Sequence, residues 1–210
     1  MSYSMTYSSL LEDARNYLER GFTSASDPIV YSMLPRMVTF AERRCAQELK
    51  VQGFINVATT STAVGAFSYT KPDRWRDTVS MTIGGRPVFG RSTEYCKSYW
   101  PDSSATATPE FYADYDYAHW LIVPTPVAIE TMEVIYYEQP VLLGDSQQTN
   151  WLTDYAPSLL LYATLLESTP MLKNDERVAV WQQMYDRAAS TLNGQDILKI
   201  LDRAAKRDEA

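Results

Sequence analysis

Residues 150–172, NWLTDYAPSLLLYATLLESTPML, constrain the fold more than any other part of the chain. Asp154 and Glu167 are the only charged residues in this segment, and leucine, alanine and tyrosine lie on every side of a helix drawn through residues 159–166. A surface helix of a soluble protein is apolar along one stripe only. The longest uninterrupted apolar run, residues 159–163, is far shorter than the roughly 20 residues of a membrane span. We therefore predict a core helix that other helices enclose.

Two amphipathic helices are predicted ahead of this segment. The first begins at Ser8 or Ser9, either of which is a good N-cap, and it ends at Gly21. In the second, Asp27–Pro28 is typical of an N-cap followed by proline at the first helical position. Pro35 lies inside the second helical pattern, where a proline either kinks a helix or divides it in two.

Residues 53–149 have the character of strands. They form short segments rich in aromatic and β-branched residues, which Gly, Pro and Ser separate. Gly84–Gly85 predicts a two-residue hairpin turn, and FYADYDYAHWLIV predicts two strands that turn near Asp116. Ser92 is expected to cap one short helix that ends before Pro101.

Helical spacing returns in the C-terminal part of the chain. Pro157 suits the first turn of the core helix, and Pro170 is expected to end it. Asn174 is the expected N-cap of the last helix, and Gly194 either breaks that helix or only weakens it. The sequence therefore predicts two helices, a β-rich insertion and two more helices.

This order predicts an α+β fold, in which the N- and C-terminal helices form a four-helix bundle and the β-rich insertion between them is sandwich- or barrel-like. Residues 1–52 form the first part of the bundle, residues 53–149 the insertion, and residues 150–210 the second part with a C-terminal extension. The predicted bundle core consists of Leu159, Leu160, Tyr162, Ala163, Leu165, Leu166, Trp181 and Tyr185.

Residue patterns that could support catalysis or bind a metal are scarce. His119 is the single histidine, it lies within a predicted strand, and no serine or cysteine has the surroundings of an activated nucleophile. The glycines of IGGRPVFG lack the lysine and the spacing of a phosphate-binding loop, and no metal-binding motif occurs. Cys45 and Cys96 stand apart from any CxxC pair, so we expect reduced, buried thiols. We therefore predict no catalytic site, no cofactor and no metal.

The acidic charge of the chain excludes a DNA-binding function. Its net charge is −7 and its pI is about 4.8, whereas a DNA-binding surface needs a basic patch that releases counterions from phosphate. The first twenty residues contain no basic region followed by an apolar stretch, so no secretory signal is predicted.

Five segments in order resemble the head-to-tail adaptor proteins of tailed bacteriophages. They are FAERRCAQEL, YTKPDRWRDTVSMTIGGRPV, TPEFYADYDYAHWLIVPTP, MEVIYYEQPVLLGDSQQTNWL and LLLYATLLESTPMLKNDERVAVWQQMYDRAASTLN. The resemblance extends from about Asp27 to Asp196 and rests on order and character, since none of these segments is a catalytic motif. Residues 71–74, KPDR, depart from the pattern, which has a small or acidic residue there.

The resemblance implies a structural virion protein that is assembled in the host cytoplasm and has no enzymatic activity. Such adaptors form a ring, typically of twelve copies, beneath the portal protein, and they give the nozzle or tube proteins of the tail a docking surface. The ring extends the DNA channel and helps to retain and release the genome. Double-stranded DNA would pass through it without specific binding, which an acidic ring favours. No membrane partner is implied.

The C-terminal segment GQDILKILDRAAKRDEA is the candidate surface for the portal or for a neighbouring subunit. It combines an apolar patch with four of the 19 basic residues of the chain within a short stretch. The candidate contact residues are Ile197, Leu198, Lys199, Ile200, Leu201, Arg203, Lys206 and Arg207. A helix from residue 175 to 207 would be roughly 50 Å long, which is too long for a bundle of this size to cover. The alternative is a frayed end or a patch that folds back on its own domain.

Three other functions stay open at this stage. The first is another connector layer, such as a tail-completion protein. The second is a cell-wall hydrolase that uses Glu or Asp as its acid. The third is a monomeric β-module that binds a sugar or another ligand.

Overall fold

The structure is a computed structural model that describes residues 4–171 and 176–208, with side chains described as far as residue 194. The chain divides into two compact units. The helical unit comprises Met1–Phe54 and Pro140–Ala210, and the β unit is the contiguous segment Ile55–Gln139. The predicted α+β class is confirmed.

Six α-helices occur in the described part of the chain, and all except α3 belong to the helical unit. They are α1 (Tyr7–Leu18), α2 (Pro28–Glu48), α3 (Thr93–Tyr99), α4 (Trp151–Tyr155), α5 (Pro157–Ser168) and α6 (Val178–Asp208). Two 3-10 turns, Gln52–Phe54 and Thr169–Met171, also belong to the helical unit. None of the described helices is long and apolar enough to cross a membrane.

The N-cap of α1 is Thr6, so the prediction of Ser8 or Ser9 was wrong. The Thr6 hydroxyl accepts a hydrogen bond from the Ser9 backbone N–H, and the Ser9 hydroxyl accepts one from the Thr6 backbone N–H. This reciprocal capping uses Ser9 as the third helical residue rather than as the cap. The helix also ends earlier than predicted, because Glu19 adopts the left-handed conformation that closes it before Gly21.

The other helix boundaries follow the predicted signals, and the structure decides between the alternatives left open at Pro35 and Gly194 in favour of an undivided helix. Asp27 caps α2 and Pro28 occupies its first turn, as predicted, but Pro35 lies inside a helix that continues through it. Pro157 occupies the first turn of α5. Gly194 does not break α6, which runs on to Asp208. The predicted cap of this last helix, Asn174, lies outside the described residues.

The segment 150–172 contains a short helix ahead of the core helix that the sequence analysis did not predict. Asn150 caps the short helix α4 by accepting hydrogen bonds from the backbone N–H groups of Leu152 and Thr153. A new helix, α5, then begins at Pro157, whose missing N–H suits a first turn. Gly53 lies where an added Cβ would come within 1.9 Å of the Trp151 ring, so only glycine lets the chain pass so close to α4.

The β unit contains nine strands. They are β1 (Ile55–Ser61), β2 (Ser68–Thr70), β3 (Trp75–Ile83), β4 (Arg86–Gly90), β5 (Thr106–Ala107), β6 (Phe111–Asp114), β7 (His119–Val123), β8 (Thr125–Pro126) and β9 (Thr131–Glu138). Seven of them form one sheet in the order β1-β9-β3-β4-β6-β7-β2, so β1 and β2 are its edge strands. Strands β5 and β8 form a separate two-stranded sheet.

The pairs within the seven-stranded sheet are antiparallel except for β4 with β6, which is parallel. Gly84 and Gly85 join β3 to β4 with φ values of 57° and 76°, which a two-residue hairpin requires. Ser92 caps α3 in the connection to the parallel partner β6. The predicted hairpin, the turn near Asp116 and the short helix are therefore confirmed.

One face of the sheet carries the main core of the β unit. Its buried members are Met81, Ile83, Val88, Trp120, Ile122, Met132, Val134 and Tyr136. A smaller cluster, Cys96, Ala113, Leu121 and Val123, lies between α3 and strands β6 and β7.

Candidate assembly surfaces

Helix α5 is enclosed by its neighbours in the helical unit. It contacts α1, α2, α4 and α6, and Ser158 is its one exposed residue. Its buried residues are Leu159, Leu160, Leu161, Ala163, Thr164, Leu165, Leu166 and Ser168. Of the residues predicted to form the bundle core, Tyr162 is half-buried and the other seven are buried.

The buried hydroxyl groups of α5 are satisfied within the helix itself. Thr164 donates a hydrogen bond to the Leu160 carbonyl oxygen at 2.8 Å, and Ser168 donates one to the Thr164 carbonyl oxygen at 2.7 Å. A buried hydroxyl without such a partner would cost the fold stability. Polar residues can therefore lie in the middle of this core without a partner from another helix.

The first turns of α6 are tied to α2 through Tyr185. The Tyr185 hydroxyl donates a hydrogen bond to a Glu48 carboxylate oxygen, and burial together with this acceptor raises the pKa of Tyr185. Arg44 lies over the Tyr185 ring at 4.7 Å and forms ion pairs with Glu48 at 2.9 Å and Glu167 at 3.4 Å. Burial also raises the pKa of the neighbouring Cys45 thiol to about 12, so this cysteine is not a reactive thiolate.

Further along α6, burial decreases toward the C-terminus. Trp181 and Tyr185 are buried, whereas Ala188 and Leu192 are half-buried. An open groove of about 500 Å³ lies beside this part of the helix. Its lining includes Tyr155, Leu159, Tyr162, Met184, Arg187 and Ala188. Tyr155 is 71% exposed and Met184 is 38% exposed, so the groove presents apolar groups to solvent.

The predicted C-terminal contact residues share one backbone helix. Ile197, Leu198, Lys199, Ile200, Leu201, Arg203, Lys206 and Arg207 all fall within α6. Their side chains lie outside the described residues, so the contacts predicted for them stay predictions.

Glu42 was not identified by the sequence analysis. It is fully buried in α2, and both of its carboxylate oxygens accept a hydrogen bond from the Leu143 backbone N–H at 3.1 Å. The Asn150 side-chain amide donates to the same carboxylate at 2.6 Å and also donates to the Val141 carbonyl oxygen at 2.9 Å. Burial raises the pKa of Glu42 to about 7, and these hydrogen bonds oppose the shift only in part.

The position of Glu42 in the sequence contained a signal that could have revealed this role. It stands four residues after Val38 and four before Ala46, on the apolar stripe of α2, where a solvated acid is not expected. The hydrogen-bond partners of Glu42 could not be predicted from such a local pattern, because Leu143 and Asn150 are about a hundred residues away along the chain.

In the β unit, Lys71 holds the turn between β6 and β7 in place. Its side chain is 3% exposed, its Nζ lies 2.9 Å from an Asp114 carboxylate oxygen, and it donates to the Asp116 carbonyl oxygen at 2.9 Å. The same ammonium group lies 3.6 Å from the centre of the Trp75 ring. This turn presents Tyr117, which is 89% exposed. Lys71 is the first of the four residues, 71–74, that depart from the pattern of phage adaptors, and these contacts give it a structural role in the β unit.

His119 lies at the base of the same turn. Its Nδ1 is 3.0 Å from both carboxylate oxygens of Asp116, three residues earlier, and its backbone pairs with Thr70 in the sheet. These contacts give His119 a role in the turn and bring no nucleophile to it. Within the described ranges, no cluster of His, Cys, Asp and Glu is arranged to bind a metal ion.

Comparison with known proteins gave one result that extends over nearly the whole chain. A family model described as SU10 adaptor protein matches residues 5–207. A search of curated proteins found no match. The matched range includes both the helical unit and the β unit.

Proposed function

The chain belongs to the SU10 adaptor protein family, a family of phage head-to-tail adaptors, and from this we propose that it forms a ring that joins the portal to the tail. The ring comprises twelve copies, extends the DNA channel, and helps to retain and release the genome. The protein acts as a structural component of the virion, which is assembled in the host cytoplasm, and it performs no catalysis.

The length of α6 is the observation that supports portal docking most directly. Its 31 residues span about 47 Å at 1.5 Å per residue, whereas the 21 residues of α2, the next longest helix, span about 32 Å. No other described helix is long enough to flank α6 from end to end. The last turns, which contain the eight predicted contact residues, dock on the portal or on a neighbouring adaptor.

The two units have different tasks in this proposal. The four long helices α1, α2, α5 and α6 act as a bundle that forms the body of the ring, and α5 is its central member. The β unit provides the docking surface for the nozzle or tube proteins of the tail. The net charge of −7, repeated around the ring, disfavours binding to phosphate and lets DNA slide through the channel.

Truncation after Leu192 tests the portal contact. The shortened protein should keep the fold of both units, because it retains Trp181 and Tyr185, the buried residues in the part of α6 whose side chains the structure describes. The full-length protein is expected to be monomeric alone and to form a ring when purified portal is added, since the portal sets the rotation between copies. Circular dichroism checks the fold, and the mass of the complex gives the number of bound copies.

The expected result is a folded truncated protein that no longer binds portal rings. Binding with the affinity of the full-length chain would reject the docking role of α6. Loss of folding on truncation would instead show that the end of α6 packs on its own domain. A full-length complex with only one or two adaptors per portal would contradict the ring.

A further inference from the structure

Helix α2 presents one exposed stripe to solvent. Its buried residues pack toward α5, and the opposite side of the helix carries exposed residues at spacings of three and four, which are Ile29, Ser32, Arg36, Phe40 and Arg43. Ile29 is 66% exposed and Phe40 is 41% exposed, so the stripe offers apolar area as well as charge. A helix face that combines an aromatic ring with arginine has the composition of a protein–protein contact.

The two arginines of this stripe are unpaired in the described part of the chain. No carboxylate among the side chains that the structure describes forms an ion pair with Arg36 or Arg43. Neither acidic residue of α2 lies on the stripe, because Glu42 is buried and Glu48 pairs with another arginine. Two positive charges therefore flank Phe40 in a chain whose net charge is −7. Such a surface favours an acidic partner.

Helix α1 carries the complementary pattern. Glu12 and Asn16 are exposed on the side opposite its buried residues, and Glu19, the C-cap, is exposed one turn further. These positions have the same spacing, four and then three, as the arginine–phenylalanine–arginine set of α2. On both helices the two charged groups are therefore roughly 10 Å apart along the axis. Glu12 has no ion-pair partner among the described side chains, and Glu19 forms one exposed pair with Arg177 at 3.6 Å, which solvent weakens.

The two surfaces lie on different sides of the helical unit. Tyr17 of α1 packs on the ring of Tyr162 in α5, with the ring centres 6.5 Å apart, whereas Arg44 of α2 pairs with Glu167 of α5. Those two α5 positions are separated by roughly 140° around a helix of 3.6 residues per turn. The outward faces of α1 and α2 therefore point in different directions. A contact between two different faces can be repeated from copy to copy and can close into a ring.

We propose that the α2 stripe of one copy binds the acidic α1 face of the next copy in the ring. This inference rests on the ring proposed above and adds the surfaces through which its copies recognise each other. Arg36 and Arg43 pair with Glu12 and Glu19 across the contact, and Phe40 packs between the two ion pairs. The same charges disfavour a contact of α2 with α2 or of α1 with α1, so the contact has one direction around the ring.

Charge reversal on each side of the contact tests the pairing. One variant carries Arg36→Glu and Arg43→Glu, and the second carries Glu12→Arg and Glu19→Arg. The two variants shift the net charge in opposite directions, so a general charge effect cannot weaken assembly in both. Arg187→Glu, at an exposed arginine of α6, is the control for a charge reversal elsewhere in the helical unit.

All variants should fold like the wild type by circular dichroism, because every substituted side chain is exposed. With purified portal, each double variant alone should need at least about tenfold more protein than the wild type to fill the ring, measured as bound copies by mass photometry. An equimolar mixture of the two should restore filling at the wild-type concentration, because oppositely charged faces meet when the two variants alternate around a ring with an even number of copies. The Arg187→Glu control should fill the ring like the wild type.

Rescue by the mixture identifies the partner surface, because a loss of folding in one variant is not repaired by the other. Wild-type filling by either double variant in its folded form would overturn the proposal. A mixture that fills the ring no better than each variant alone would also overturn it, since the stripe would then bind something other than α1, such as the portal. If the wild type itself forms no ring on the portal, the proposed function fails and this inference falls with it.

Discussion

Glu42 is a buried carboxylate that, within the described part of the chain, has hydrogen-bond donors as partners and no cation in direct contact. Its partners hold the segment that returns from the β unit against α2, and Asn150 caps α4 with the same side chain that binds Glu42. Such a group is costly to ionise, which is why its pKa is raised to about 7. The nearby Tyr7 and Cys45 also have raised pKa values, so both stay neutral between pH 5 and pH 8.

Glu42 should therefore make the stability of the helical unit depend on pH. Its pKa is about 7 in the folded state and 4.5 ordinarily, so folding takes up a proton. The stabilisation is fully present below pH 4.5 and is lost as the pH rises through 7. Between pH 5 and pH 8 the free energy of unfolding should fall by about 2 kcal/mol more in the wild type than in Glu42→Gln. Urea denaturation at a series of pH values measures the difference.

The exposed Glu12 provides the control for this measurement. Glu12→Gln should keep the pH dependence of the wild type, because an exposed carboxyl loses little hydration on folding. Parallel curves for the wild type and Glu42→Gln would show that Glu42 does not set the pH dependence.

At the scale of the elements, residues 159–166 are apolar because they form the buried part of α5. It contacts four other helices, and Ser158 is its one exposed residue, while the half-buried Tyr162 lines the open groove beside α6. Leu160 and Leu165 lie on different sides of the helix, and both are fully buried.

Leu160→Asp and Leu165→Asp should each prevent folding of the helical unit. Each places an unpaired charge in the core at a cost of several kcal/mol, which is comparable to the whole stability margin of roughly 5–15 kcal/mol. Ser158→Asp is the control on the same helix, because Ser158 is exposed in the first turn, where an acid is favourable. Soluble expression and thermal melting distinguish the three variants. Unchanged melting of both leucine variants would mean that α5 is not enclosed.

Elements with local signals could be predicted from the sequence, and those that depend on distant partners could not. Local signals specify the N-cap of α2 at Asp27–Pro28, the N-cap of α3 at Ser92 and the hairpin at Gly84–Gly85. Each depends on residues that are adjacent in the chain. The start of α5 at Pro157 was predicted from such a signal, whereas the short helix α4 was missed although its cap, Asn150, is adjacent to it in the chain. The parallel pairing of β4 with β6 and the partners of Glu42 depend on contacts that no local pattern encodes.

At the scale of the whole molecule, the acidic charge suits the DNA channel of the proposed ring. The assembled ring should not bind double-stranded DNA even at about 50 mM salt, where electrostatic binding is strongest. Fluorescence anisotropy of a labelled duplex measures this, with the portal alone as the control for binding by the other component. A complex of ring and duplex that weakens steeply with added salt would contradict the proposal that DNA slides freely.

The discontinuity of the helical unit has a consequence for synthesis on the ribosome. The β unit, Ile55–Gln139, is one uninterrupted stretch, so all of its strands are available as soon as that stretch has emerged. Helices α1 and α2 are made first, but they lack their central partner until α5 has been translated, more than a hundred residues after α2 ends. Their apolar faces therefore stay uncovered during most of translation, and the first part of the chain to be made belongs to the last unit to fold.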